Sequence, residues 1–365
     1  AKELVKIMKK VPSKLNLIEF NPLENKSFKP AKKDNIDNNM YSEEFKNQLT
    51  NQYLNRLNSE NGFSSSINIQ RINKNFTYGL EHYIESDKYD INDMGYLAEA
   101  NEINNNIHVQ YKVFSSEERI AKKLNIKKGW LKFNIEHKML YKPLKYSNSI
   151  IKIDAGALNL KHFYMDLGIR YFLEEHNYSL ISSDNKLFIQ PPALKISFGT
   201  SSNFNKPISL NLRLSIKHRF TQNYSVWKDY QNIHIYGRFN PRFRINNHAF
   251  LQYIFAIEKL HNELGTTRNL EPLFSRRSEK VITNKLIFTY AFNNKLNATI
   301  NARHYWKTVN HISFYELINN GILIPSNSNG DNQNYNIWTL YANILWEYKP
   351  GSTISLVWQN ILESD

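Results

Sequence analysis

The sequence predicts an all-β protein, an antiparallel up-and-down transmembrane β-barrel with a short, partly helical N-terminal segment. Three observations predict it. Apolar and polar residues alternate over runs often twice the ~5–6 residues of an ordinary strand. Short turns alternate with long polar loops. The chain of 365 residues carries 21 Phe, 22 Tyr and 6 Trp against only 12 Gly and 11 Pro, which is β-rich usage. No apolar stretch approaches the ~18 residues of a spanning helix. The mean hydropathy of −0.56 does not exclude a barrel, because only every second strand residue would face lipid.

In chain order, residues 1–66 form a Lys- and Asn-rich lead-in without sustained alternation. Ser42 is placed to cap a short helix there, with Glu43 and Glu44 at its positive end and Phe45, Leu49, Tyr53 and Leu57 along one face. Ala1 to Lys10 is too charged to be the apolar region of a signal peptide. The expectation is that a leader was removed or that the sequence is part of a longer protein.

Residues 67–365 form the β domain. Its clearest strand alternates Ile208, Leu210, Leu212, Leu214, Ile216, His218 and Phe220 with Ser209, Asn211, Arg213, Ser215, Lys217 and Arg219. One face is apolar and the other wet. The pattern recurs from Leu131 to Tyr141, from Phe163 to Leu173 and from Ala249 to Ile257. Leu286 to Phe292, a turn at Asn293 and Asn294, and Leu296 to Trp306 make a hairpin. Trp338 to Tyr348 pairs with Ile354 to Trp358 through Pro350, Gly351 and Ser352, where Pro fixes one turn dihedral and Gly admits positive φ.

Long loops are expected at Asp87–Asn106, Ser115–Gly129, His261–Lys280 and Thr308–Asn334. Roughly 12 to 14 strands are expected, each near the ~9–11 residues that cross a bilayer at a tilt. Tyr141, Tyr171, Phe220, Trp306, Trp346, Tyr348 and Trp358 are candidates for interfacial aromatic girdles at strand ends.

Cysteine is absent, which excludes disulfides and thiolate chemistry. The formal charge of +14 favours anionic partners. Arg213, Lys217, Arg219, Arg238, Arg242, Arg244 and Arg303 fall on the wet faces of strands and would line the lumen of a barrel, favouring anions. Asp90, Asn92, Asp93 and Gly95 resemble the opening of a calcium loop. Met94 stands at a position that needs oxygen and Asn101 where a bidentate Glu belongs, so these residues read as a loop-ordering motif. His137, His218 and His304 fall on apolar faces without metal-ligand spacing, and Glu174, Glu175 and His176 read as a charged loop tip. No nucleophile elbow, phosphate-binding loop or dinucleotide fingerprint occurs. The reading therefore assigns no catalytic, metal or cofactor-binding residues and expects no enzyme.

Tyr89 to Leu97, Ala302 to Trp306 followed by Phe314 to Leu323, and above all the ending Trp346 to Asn360 resemble a family of large outer-membrane barrels of unknown function. These are common in Bacteroidota and usually carry an N-terminal family-nine carbohydrate-binding-like module. The resemblance covers about residues 67–361. It implies residence in a Gram-negative outer membrane, lipid as a partner, and a last strand read by the barrel-assembly machinery. The chain departs from the family in lacking a terminal aromatic after Leu362 and in lacking the module upstream, which implies the C-terminal part of a larger barrel.

The expected function is an outer-membrane transport, channel or envelope-assembly component with a basic lumen, open to anionic solutes or glycans and with no nucleic acid expected. The alternative is a soluble all-β protein that binds nucleic acid or acidic glycan through basic, aromatic-rich faces.

Overall fold

A computed structural model describes residues 62–89, 100–178, 187–266, 273–318 and 321–364. Ser42–Leu57 and the Asp90, Asn92, Asp93, Gly95 motif lie outside the described residues. The chain divides into two compact units, residues 1–60 and 61–365. The second holds everything described below.

It is all-β and antiparallel. In order its elements are β1 (Ser64–Asn73), β2 (Phe76–Glu85), β3 (Glu102–Val113), one helical turn and a half, α1 (Arg119–Leu124), β4 (Ile126–Leu140), β5 (Lys145–Asn159) and β6 (Tyr164–Phe172). The small strands β7 (Glu175–Asn177) and β8 (Phe188–Gln190) follow. Then come β9 (Ala193–Ser201), β10 (Ile208–Arg219), β11 (Ile233–Arg244), β12 (Ala249–Thr266), β13 (Leu273–Ala291), β14 (Leu296–Leu317), the short β15 (Leu323–Ser326), β16 (Gln333–Lys349) and β17 (Ser352–Ser364). No described helix is long and apolar enough to cross a membrane.

Among the described residues fifteen strands form one sheet, fourteen of them in the order β1-β2-β3-β4-β5-β6-β9-β10-β11-β12-β13-β14-β16-β17. Each pairs with its neighbour in the chain; the β7–β8 hairpin is set aside and β15 lies against the end of β14. Among the described residues β1 and β17 each pair on one side only, so the path is open at both ends.

One end of the sheet is built from short turns, at residues 74–75, 160–163, 202–207, 245–248, 292–295 and 350–351. The same device recurs there. Asn159, Asn203, Asn246 and Asn293 each accept a backbone N–H two residues on through Oδ1, at 2.8–2.9 Å, a local bond that turns the chain without a longer loop. The last turn uses Gly351 at φ 75°, and its N–H donates to Glu347 Oε1 at 3.0 Å.

The opposite end carries the long connections and a buried core cluster, Phe188, Trp227, Leu264, Phe274, Tyr315, Leu317 and Leu323. Phe188 packs on Phe274 with ring centroids 4.7 Å apart. Arg276 is fully buried beside them, its guanidinium 3.6 Å from the Tyr230 ring centroid and donating to the Val226 carbonyl. This end forms a cap.

Several long loops expected from the sequence are strand instead. Of His261–Lys280, residues up to Thr266 belong to β12 and those from Leu273 to β13. Of Thr308–Asn334, β14 runs to Leu317 and β15 follows. Bulges at Leu260/Glu263 and Arg276/Arg277 shift the alternation out of phase and hide these strands from a period-two pattern. Asp87–Asn106 ends at Glu102 with β3, and Ser115–Gly129 holds α1 and the start of β4 on the short-turn end, where Glu118 Oε1 accepts the Phe114 N–H at 2.7 Å.

Register then decides the faces. Following the pairs from Leu80 across the sheet gives Ile107, Ile135, Ile151 and Tyr171, then Leu194. The row beside it reads Ile169, Ile196, Ile216, and the next reads Leu167, Phe198, Leu214. Further on, Phe239 faces Phe255, Leu251 faces Phe288, Phe288 faces Ile300, and Ile344 faces Leu356. A single apolar face runs over all fourteen strands. Its side chains are not covered: Ile69 is 66%, Leu214 46% and Leu356 67% exposed.

Candidate functional site

Where polar side chains interrupt the apolar face, many are bonded to one another. His82 Nδ1 meets Asn105 Oδ1 at 2.7 Å, and His137 Nδ1 meets Ser149 Oγ at 2.8 Å. Tyr253 Oη donates to Asn284 Oδ1 at 2.7 Å, Asn284 Nδ2 lies 3.4 Å from His304 Nδ1, and His304 Nε2 is 2.9 Å from Asn336 Oδ1. His304 also stacks on Trp338 at 4.4 Å. His218 packs edge-on against Phe220. The expectation that His137, His218 and His304 lie on apolar faces agrees with this register.

The other face is basic. Arg213 on β10 stands opposite Arg238 on β11, Arg242 opposite Ser209, and Arg303 on β14 opposite Lys285 on β13. Register adds three cations that reading one strand at a time missed. Lys152, Arg170, Lys195 and Lys217 stand directly opposite one another on β5, β6, β9 and β10, and His234 on β11 follows in the same row. The signal was present in each strand, but only pairing aligns it.

Like charges placed directly opposite are destabilising, so each cation's neutralising partner matters. Lys152 Nζ reaches Glu136 Oε1 at 2.5 Å, Arg213 reaches Asp166 Oδ1 at 3.6 Å, and Lys217 Nζ sits 4.5 Å from the Phe172 ring centroid. Arg242 and Arg244 lie over the Phe250 ring at 4.7 and 5.5 Å, and Arg303 over Tyr305 at 5.3 Å. Among the described residues, Arg170 and Lys195 form no ion pair with a carboxylate within 4.0 Å. The Nε atoms of Arg170, Arg238 and Arg244 are buried without a hydrogen-bond partner.

Glycines keep this face low. A Cβ at Gly168 would sit 2.7 Å from Asp154 Oδ1, and one at Gly199 2.4 Å from Asp166 Oδ1. Both carboxylates therefore lie flat over neighbouring backbone. Beside Arg238, Lys285 and Arg303 the face dips into a shallow groove that also involves Tyr236, Glu258 and Thr283.

Arg219 differs from the other six basic residues singled out in the sequence. It is buried at the cap, where Nη1 donates to the Pro191 carbonyl at 3.2 Å and Nη2 to Gln190 Oε1 at 2.5 Å, with the Trp227 ring 5.9 Å away. Its charge holds the cap to β10.

Glu174, Glu175 and His176 belong to the same cap. His176 Nε2 is 2.7 Å from Glu174 Oε1, and the Tyr224 hydroxyl donates to Glu174 Oε2. Burial pushes the Glu174 carboxyl up, but the bonds from Tyr224 and His176 outweigh it and hold the group below the usual carboxylate range. Burial, reinforced by the Glu174 carboxylate, pushes the Tyr224 phenol above its ordinary value. Tyr146 Oη donates to the Glu174 carbonyl at 2.7 Å, so the loop tip read from the sequence is a packed joint.

Of the aromatic candidates, Tyr171 lies next to the end of β6 and packs on Phe220 at 6.3 Å; Trp346 and Tyr348 adjoin the closing turn, 6.0 Å apart. Tyr141 directly follows β4 and packs edge-on against Phe63 at 5.6 Å. Trp306 and Trp358 do not sit at strand ends: β14 continues eleven residues beyond Trp306, and Trp358 faces Ala342 in the middle of β17. Trp306 does mark a boundary, for Lys280 Nζ lies 4.9 Å over its ring and Lys280 faces Lys259.

A family model described as a domain of unknown function, DUF5916, matches residues 13–365. The chain belongs to that family. The DUF5916 match begins well upstream of residue 67, where the sequence resemblance was placed, so most of the lead-in falls within the family's domain. No curated protein and no solved structure matches the chain significantly.

Proposed function

We propose that this DUF5916 chain is a transmembrane β-barrel of a Gram-negative outer membrane, acting as a transport, channel or envelope-assembly component with a basic lumen and without catalytic activity. The observation that carries the reading is the uncovered apolar face that continues in register over fourteen strands. A water-soluble fold would forgo ~1.5–3 kcal/mol for each large side chain left out; lipid removes that cost.

The band has a suitable height. On β12 it runs from Ala249 to Ile257 before Lys259 faces Lys280, about 27 Å along the strand at ~3.4 Å per residue, or roughly 20 Å after a tilt of ~40°. The cross-strand pairs of His and Asn on this face suit a medium that offers no hydrogen bonds of its own. Short turns at one end and long connections at the other match the layout of such barrels. The reading requires β1 and β17 to be joined, to each other or through further strands, since an open edge is not tolerated in lipid.

Extraction tests the membrane reading. The native protein is expected to need detergent and to migrate differently in gels with and without boiling; a full chain that stays monodisperse in detergent-free buffer would sink it. Conductance in a planar bilayer tests the channel version. Insertion without ion flux would leave an assembly or plugged role.

A further inference from the structure

We infer that the row Lys152, Arg170, Lys195 and Lys217 is a binding track for a linear, phosphate-rich polyanion. It rests on the reading of the basic face as a lumen wall only for where the ligand would travel. The binding itself needs the register alone.

The four cations occupy adjacent strands and face one another directly. At ~4.8 Å between strands they span about 14 Å, a line of positive charge running perpendicular to the strands. Repulsion along it is relieved at its ends, by Glu136 at Lys152 and, at Lys217, by the Phe172 ring and the neighbouring Glu263 and Glu175 carboxylates. In the middle, Arg170 keeps a buried Nε without a partner, and Lys195 has no carboxylate within reach among the described residues. Two acids that could have neutralised the row are held off it: Asp154 and Asp166 lie over Gly168 and Gly199 in the next rows.

The chemistry of the row selects the ligand. Ammonium and guanidinium groups are donors only, so they satisfy phosphate oxygens, which only accept, better than sugar hydroxyls, which also need acceptors. The Phe172 ring at the row is already engaged by Lys217 and the His234 ring by Glu258, so neither is a free platform for a pyranose. Lysine binds phosphate as a point charge, and three of the four are lysines.

The full chain, purified in detergent, is titrated calorimetrically with sodium tripolyphosphate and, separately, with trigalacturonate. Wild type is expected to bind tripolyphosphate at least tenfold tighter than trigalacturonate. The double substitution Lys195→Gln/Lys217→Gln is expected to weaken tripolyphosphate at least tenfold. Lys161→Gln/Lys206→Gln, which removes the same charge from exposed short turns, is expected to leave it unchanged. No binding by wild type, an unchanged affinity in the row variant, or an equal loss in the turn variant overturns the track; equal affinity for the two ligands overturns its phosphate preference. The neutral glutamines relieve repulsion, so the row variant is expected to melt no lower than wild type. If the protein proves soluble without detergent, the barrel reading fails and the titration still decides the row.

Discussion

The sheet body and the cap at its long-connection end treat apolar side chains in opposite ways. In the cap, Phe188, Leu264 and Phe274 are at most 1% exposed and pack on one another. On the sheet, residues of the same kind stand in register over fourteen strands and remain open. A chain that builds a close-packed core at one end has not failed to build one elsewhere. On the proposed reading the two regions meet different surroundings, water around the cap and an apolar medium around the sheet.

The largest expected effect breaks the cap and spares the sheet. Phe274→Ala removes the centre of the buried cluster and should cost ~3–5 kcal/mol locally. Protease cleavage in the long connections should then rise while the heat-modifiable gel shift of the sheet persists; loss of both together would show that the regions are one cooperative unit. Next, Leu214→Arg places a charge in the middle of the apolar face. It should cost ~2–4 kcal/mol for insertion into vesicles, measured as the urea midpoint of the folded band. An arginine that is tolerated there would remove the distinction between the regions.

A smaller effect is expected at the closing turn. Gly351 has positive φ with open space around it, so Gly351→Ala meets only the left-handed penalty of ~1–2 kcal/mol and should slow refolding of the β16–β17 hairpin without altering the cap. The smallest is a pH effect confined to the cap. Glu174 is held below the usual carboxylate range, so its contribution is present above the unfolded carboxyl value of ~4.3 and is lost as pH falls through the lower folded one. Protease sensitivity near residues 173–178 and 220–232 should rise in acid, and Glu174→Gln should abolish that dependence.

The sheet was legible in the sequence wherever one face meets a uniform environment. Ile208 to Arg219 alternates without a break, and its strand is found there. The parts that escaped lie where that uniformity ends. Beyond Lys259 and Lys280, β12 and β13 pass a bulge and enter the cap, where Phe274, Ser275 and Arg276 are buried in succession and the two faces no longer differ. The candidate site was half legible. Arg213 and Lys217 mark a basic face on their own strand, whereas the row they belong to depends on pairing with Lys195 and Arg170 on strands distant in sequence. Arg219 carries the same alternation as Lys217 but sits one step further, under Trp227, and no periodicity separates a position on the basic face from a clamp.

Because nearly every strand of the sheet lies beside its neighbour in the chain, most pairings close only a short segment, with little loop entropy to overcome. The sheet can therefore zip hairpin by hairpin from either end. The connection from β6 to β9, which must wait for the β7–β8 excursion to fold aside, is the step at which such zipping should pause.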